Sequence, residues 1–162
     1  MRKHQKGFSL IELLIVVAII LIIAAIAIPN LLRSRMAANE ASAVGSLRTI
    51  NTAEVTYSTT YPTIGFASLA GLGGAAATCA TATGATSTAA CLIDDVLATT
   101  AVKSGYAFTA TAGGGTPAVT YTSTALPSVV GQSGQRAFCS DQSGVIRYNA
   151  GGTACANTDS AL

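Results

Sequence analysis

The hydrophobic positions in the first third of this sequence form a long continuous segment. An unbroken apolar run covers Leu13–Ile28, and only Ser9 and Glu12 interrupt the longer stretch Phe8–Ile28. The longer stretch has 21 residues. At about 1.5 Å per residue a helix of that length reaches roughly 30 Å, the thickness of the hydrocarbon core of a bilayer. The pattern therefore predicts an apolar membrane or assembly helix over residues 8–29.

After this run the apolar positions become one-sided. They recur every three or four residues, which is typical of one face of an amphipathic helix, and they predict a second helical half over residues 30–60. The stripe consists of Val44, Leu47, Ile50, Ala53 and Tyr57. The charged residues that we assign to other faces are Arg33, Arg35, Glu40, Arg48 and Glu54. Pro29 predicts a kink where the two halves join, and Pro62 predicts that the helix ends just before it.

Residues 61–162 are predicted to form a globular head. Four segments alternate apolar and polar residues and predict antiparallel strands: Tyr106–Ala110, Val119–Ser123, Arg136–Cys139 and Val145–Tyr148. Between the last two, residues 141–144 have a turn sequence that favours a hairpin. We expect residues 65–90 to be a surface loop and residues 91–98 a short helix. The predicted fold class is α+β, with a long N-terminal helical spine packed through its stripe on a small sheet of three or four strands. The Thr and Ser side chains of this sheet are expected to face solvent.

The four cysteines all lie in the predicted head: Cys79, Cys91, Cys139 and Cys155. An even number of cysteines behind a basic and then apolar N-terminus indicates two disulfides formed outside the cytoplasm. Three pairings are possible. We favour Cys79–Cys91 and Cys139–Cys155, because each closes a short loop, and the second would fasten the end of the chain to the sheet.

The distribution of charge and of histidine argues against several classes of function. The formal charge is +2, but a chain beginning at Phe8 loses Arg2, Lys3 and Lys6 and has a side-chain charge of −1. A basic nucleic-acid surface is therefore not expected on this subunit alone. Beyond His4 there is no histidine, so a Ser-His-Asp or Cys-His site is excluded from that shorter chain. We expect no enzyme activity, no cofactor and no metal site.

Glu12 decides between three interpretations of the N-terminus, which are a secretory signal, a simple membrane anchor, and a precursor cut between Gly7 and Phe8. A carboxylate inside an apolar membrane helix costs roughly 2.5–3.5 kcal/mol, so it is rare without a partner. If cleavage frees the amine of Phe8, each subunit carries one cation and one anion near the same end of its helix. Glu12 of one copy then neutralises the Phe8 amine of a neighbour and fixes the register of the two helices.

The segment Lys6-Gly7-Phe8-Ser9-Leu10-Ile11-Glu12-Leu13 resembles the processing motif of type IV prepilins and of the related pseudopilins of type II secretion. The resemblance continues through residues 13–29 into 30–35. It implies a leader peptide at residues 1–7, cleavage after Gly7 by an aspartic-protease prepilin peptidase, and methylation of the new N-terminus at Phe8. Methylation leaves the amine cationic, so the pairing with Glu12 is preserved.

The resemblance also implies the function. The chain is expected to be a structural subunit of a type IV pilus, held in the inner membrane as a precursor and then polymerised with copies of itself. Its expected partners are the prepilin peptidase and the pilus assembly machinery of the inner membrane. The resulting surface filament would serve adhesion, twitching motility or DNA uptake. A pseudopilin of type II secretion and a minor pilin are the alternatives, because they share this N-terminus.

Overall fold

The computed structural model describes residues 8–80 and 85–162. Its longest element is helix α1, Leu10–Thr60, which has 51 residues. By its internal contacts the chain divides into two compact units, Met1–Arg35 and Met36–Leu162, and α1 contributes residues to both. We call Met36–Leu162 the head unit. The helix ends before Pro62, as the sequence predicts.

The head unit contains one antiparallel sheet in which the strands follow one another in chain order. The strands are β1 Val102–Lys103, β2 Tyr106–Ala112, β3 Tyr121–Pro127, β4 Ala137–Asp141, β5 Arg147–Asn149 and β6 Ser160–Ala161. The predicted α+β class is confirmed, but the described residues form six strands rather than three or four. The edge strands β1 and β6 have two residues each, which is too short for an alternating pattern to identify.

The segment between α1 and the sheet differs from the predictions. Instead of a surface loop, residues 65–90 contain two short helices, α2 Leu69–Leu72 and α3 Ala76–Cys79. Leu69 and Leu72 are buried, because their spacing of three places both on the face of α2 that meets the core. The helix expected over residues 91–98 is a single π-helical turn at Val96–Thr100. It follows Asp94, whose carboxylate accepts a hydrogen bond from the Leu97 amide at 3.0 Å.

The hydrophobic core lies between α1 and one face of the sheet, as predicted. All five residues of the predicted stripe are buried, and Leu47 and Ile50 are fully excluded from solvent. From the sheet, Tyr106, Phe108 and Phe138 pack into the same cluster. The long side chains of α1 and the aromatic rings of the strands therefore meet in one core, and removing them from water stabilises this unit.

The outer face of the sheet carries threonines, but two serines do not follow the prediction. Along β2, Thr109 and Thr111 are exposed, and the Thr109 hydroxyl lies 2.7 Å from that of Thr124 on β3. In contrast, Ser123 and Ser140 are buried on the helix-facing side. Both hydroxyls are hydrogen-bonded there: that of Ser123 donates to the Ser140 carbonyl and that of Ser140 to the Val145 carbonyl. This pairing offsets the cost of removing them from water.

Asn51 joins this polar group from the helix. Its side-chain amide donates to the Ser140 hydroxyl at 2.8 Å, and its carbonyl oxygen accepts from the Tyr121 hydroxyl at 3.0 Å. Because both partners have defined directions, these bonds specify how α1 is rotated and how far it is advanced against β3 and β4.

From the sequence we assign Glu40 and Glu54 to faces of α1 other than the buried stripe. That assignment is wrong for these two residues, because both are buried in the head unit. The Glu40 carboxylate accepts hydrogen bonds from the amides of Gln135 and Arg136 at 2.9 and 3.1 Å. It also forms an ion pair of 2.8 Å with the Arg136 guanidinium. That guanidinium lies 5.4 Å from the ring centres of Phe138 and Tyr148. We call this group the Glu40 clasp.

Burial alone would raise the pKa of Glu40, but the contacts of the Glu40 clasp lower it by more. The hydrogen bonds from the Gln135 and Arg136 amides and from the Arg136 side chain, together with its positive charge, leave the pKa of Glu40 below its ordinary value. The carboxylate is therefore charged at neutral pH and holds α1 to the loop that precedes β4.

We expect Leu47→Ala to destabilise the head unit by about 2–5 kcal/mol, because it removes a fully buried side chain and leaves a cavity. Chemical denaturation of the full chain in detergent, followed by the near-ultraviolet signal of the tyrosines, measures the effect. Val55→Ala is the matched control. Val55 lies on the same helix with 57% of its surface exposed, and its truncation should change the free energy of unfolding by about 0.5 kcal/mol or less. Equal losses from both variants would contradict the assignment of the core.

Candidate assembly site

At the N-terminal end of α1, the side chain of Glu12 reaches back to Ser9, the residue before the helix. The Glu12 carboxylate accepts a hydrogen bond of 2.9 Å from the Ser9 amide. Ser9 directly precedes the helix, and Glu12 is its third residue, so this contact is the half of a capping box in which the acidic residue satisfies the N-cap amide. The negative charge also lies near the positive end of the helix dipole, which stabilises it.

Glu12 retains capacity for a further partner. An ionised carboxylate has about four acceptor positions, and the Ser9 amide occupies one of them. Phe8 is 80% exposed immediately before Ser9. Gly7, the predicted cleavage residue, and the rest of the predicted leader 1–7 lie outside the described residues.

The apolar side chains that follow Glu12 have no cover within their own unit. From Leu10 to Ile28 the large hydrophobic side chains are between 44% and 73% exposed. Among the described residues, α1 is the helix with a segment long and apolar enough to cross a membrane. So many exposed apolar side chains on all sides of one helix indicate a lipid or protein environment rather than water.

Pro29 lies inside α1, at the end of this exposed segment. A proline has no amide hydrogen, so the Ala25 carbonyl four residues earlier loses its usual helical partner. One turn further on, the Ser34 hydroxyl donates to the Asn30 carbonyl at 3.0 Å. The kink predicted at Pro29 stays a prediction.

The four cysteines form two disulfides in the structure. Cys79 is joined to Cys91 across 12 residues, and Cys139 to Cys155 across 16. These are the two local pairs that the sequence favours. The second bridge attaches the segment before β6 to β4, in the middle of the sheet.

Within residues 8–80 and 85–162, no three side chains of His, Cys, Asp or Glu are grouped closely enough to hold a metal ion. The pair Asp94 and Lys103 is joined at 2.7 Å, with both side chains about 40% exposed. Such a pair contributes little to stability at the surface.

Comparison with known proteins finds a match in the segment that carries Glu12. A family model described as the prokaryotic N-terminal methylation motif matches residues 2–28. Residues 2–28 carry a type IV prepilin signal. The match covers the basic residues Arg2, Lys3 and Lys6, then Gly7, Phe8 and Glu12, and the exposed apolar segment of α1.

Two curated relatives are similar to part of this chain. The type IV wide pilus major component PilA4 of Thermus thermophilus is 63% identical over 38 residues, which are 24% of this chain and 29% of the relative. The type IV major pilin protein PilA of Myxococcus xanthus is 44% identical over 54 residues, which are 33% of this chain and 24% of the relative. The matched segments thus span about a quarter of the length of these relatives. No solved structure matches the chain.

One contact of this site was missed from the sequence although a signal for it was present. The spacing Ser9-x-x-Glu12 ahead of an apolar run is a capping-box pattern. It predicts the hydrogen bond between the Ser9 amide and the Glu12 carboxylate that the structure contains. Glu12 therefore has a partner in its own chain as well as the one expected from a neighbour.

Proposed function

We propose that this chain is the structural subunit of a type IV pilus, made as a membrane-held prepilin and polymerised through its N-terminal helix. The observation that carries the proposal is the prepilin signal of residues 2–28, followed by a helix whose apolar side chains have no cover in their own unit. The names of the two relatives, both major pilus components, support the same role.

In the precursor, the apolar segment of α1 lies in the inner membrane. Arg2, Lys3 and Lys6 keep the leader on the cytoplasmic side by the positive-inside rule. The prepilin peptidase cuts between Gly7 and Phe8 and methylates the Phe8 amine. Because the apolar segment follows the cleavage point, it stays in the mature subunit.

Assembly transfers α1 from lipid to a bundle of sister helices. Lipid tails are about as apolar as leucine side chains, so this transfer gains little from the hydrophobic effect. The difference in free energy between the correct register and a shifted one then comes mainly from charge pairing. Glu12 of one subunit accepts the Phe8 amine of a neighbour, and a shift along the helix would leave both charges unpaired in an apolar interior.

The role proposed for the mature chain is structural rather than catalytic. Its partners are further copies of itself, the peptidase, and the pilus assembly machinery in the inner membrane. The filament is exposed at the cell surface, where the two disulfides of the head unit are stable in an oxidising environment. With a side-chain charge of −1 from Phe8 onwards, the subunit alone is not proposed to bind nucleic acid.

Intact-mass spectrometry of filaments sheared from the cell surface tests the proposal first. We expect a chain from Phe8 to Leu162 that is heavier by one methyl group and lighter by four hydrogens, because both disulfides are formed. The processed form in membranes but absent from the sheared fraction would favour a pseudopilin or a minor pilin. A chain that begins near Asn30 would contradict the prepilin assignment.

Exchange of Glu12 tests the register mechanism. Glu12→Ala should be inserted and cleaved normally but give no filaments in electron micrographs. Glu12→Gln is the sharper variant, because a carboxamide oxygen still accepts the Ser9 amide while the charge is lost. We expect it to fail in assembly as well. Normal filaments from Glu12→Gln would show that capping, and not charge pairing, is what Glu12 contributes.

Exchange of Gly7 tests the cleavage site. A bulky side chain in Gly7→Leu should leave uncut precursor, whereas Gly7→Ala is expected to be processed to a substantial extent. N-terminal sequencing and the mass of the membrane-bound protein distinguish the two forms. Mature protein beginning at Phe8 from Gly7→Leu would mean that this residue does not determine cleavage.

A further inference from the structure

Glu54 is a buried carboxyl group that the proposed assembly mechanism does not use. It lies on α1 between the core residues Ile50 and Tyr57 and is fully excluded from solvent. One carboxyl oxygen, Oε2, accepts a hydrogen bond of 3.0 Å from the Ala67 amide. The other, Oε1, is buried without a hydrogen-bond partner among the described residues. A charged carboxylate in this position would be only half satisfied, which is costly in an apolar interior.

The Ala67 amide belongs to a segment that crosses from the end of α1 to α2. We call residues 61–68 the strap. On its other side the strap is held by two backbone hydrogen bonds with Ala118, from the Phe66 amide at 3.0 Å and to the Ile64 carbonyl at 2.8 Å. The Phe66 ring also lies 4.8 Å from that of Tyr121. The strap is therefore held at two places. Glu54 binds it to α1 through a buried hydrogen bond, and Ala118, in the segment before β3, binds it through the backbone.

Within residues 8–80 and 85–162, Glu54 takes part in no ion pair. The titratable side chains that interact electrostatically with it are Tyr57 on the same helix and Tyr121 on β3. The ring of Tyr61, where the strap begins, contacts that of Tyr57, with ring centres 4.8 Å apart and the planes tilted by 45°. Burial raises the pKa of Tyr57 and raises that of Tyr121 to about 12, so these two phenols are neutral near pH 7. Glu54 is thus the group among them whose charge changes near neutral pH.

Burial raises the pKa of Glu54 from 4.5 to about 7, although the hydrogen bond from Ala67 acts in the opposite direction. The packed strap therefore favours the protonated carboxyl. If the strap lifts and water reaches Glu54, the carboxyl returns to its ordinary pKa. Opening of the strap then releases a proton between about pH 4.5 and pH 7, and a process that releases a proton becomes easier as pH rises.

We propose that Glu54 is a proton-operated latch, in which the protonated carboxyl keeps the strap packed on α1 and loss of the proton loosens it. The inference is independent of the pilus function, since it concerns the head unit alone. Loosening would reach further than the strap. Ser68 caps α2 through its hydroxyl, and α2 buries Leu69 and Leu72 in the core.

Two measurements on the full chain in detergent micelles test the latch. Carbon-13 NMR of the side-chain carboxyls gives the titration midpoint of Glu54 in the unaltered protein, and we expect it near 7. Hydrogen exchange gives the protection factor of the Ala67 amide, corrected for the intrinsic effect of pH on exchange. This factor should fall by at least tenfold between pH 5 and pH 8, and by at most about seventyfold, and it should level off above the titration midpoint of Glu54.

Two variants separate the latch from a general effect of pH. In Glu54→Gln the carboxamide oxygen still accepts the Ala67 amide but no proton is exchanged, so the protection factor should become independent of pH. Asp95→Asn is the control, because Asp95 is exposed and its loss should leave the pH dependence unchanged.

Either of two outcomes would overturn the proposal. A Glu54 midpoint near 4.5 would mean that the carboxyl is not held in an environment that favours its proton. A midpoint near 7 with unchanged protection of Ala67 would mean that its titration has no effect on the strap. Both outcomes are read from the unaltered protein, so the test does not depend on the folding of Glu54→Gln.

Discussion

The large apolar side chains of Leu13–Ile28 are exposed within their own unit. This exposure is the constraint on which the proposed membrane insertion and assembly depend. In the proposed function these side chains are buried by lipid in the precursor and by other copies in the filament. One helix then suits two environments in turn, because both are apolar. The head unit has the opposite property, since it buries its stripe of α1 against its own sheet and completes its core alone.

Glu12, Glu40 and Glu54 lie on the same helix, and their surroundings give each carboxyl a different role. Glu40 receives two amides and a guanidinium and stays charged. Glu54 receives one amide, forms no ion pair with any residue that the structure describes, and favours its proton. Glu12 accepts the Ser9 amide and retains free acceptor positions. For Glu40 and Glu54, partners outside α1 decide the state of the carboxyl, whereas the partner of Glu12 in its own chain is the neighbouring Ser9.

The sequence alone predicts much of the fold and of the assembly site. The stripe from Val44 to Tyr57 and the prepilin motif are local patterns, and both correspond to what the structure and the comparisons contain. The burial of Glu40 was not predictable in this way, because its partners lie about 95 residues further along the chain. The strands β1 and β6 were missed for a similar reason: two residues become a strand only when a neighbouring strand provides hydrogen bonds.

The short edge strands have a consequence for the behaviour of the head unit at high local concentration. A long open edge presents a row of unpaired amides and carbonyls, and two such edges can join to start cross-β aggregation. Here the sheet ends on both sides in strands of two residues, although β2 extends beyond the two residues that pair with β1, so each outermost strand by itself offers an incoming chain little to pair with. In the proposed filament, the short outer strands therefore reduce pairing between the sheets of crowded copies and favour ordered growth through the helix.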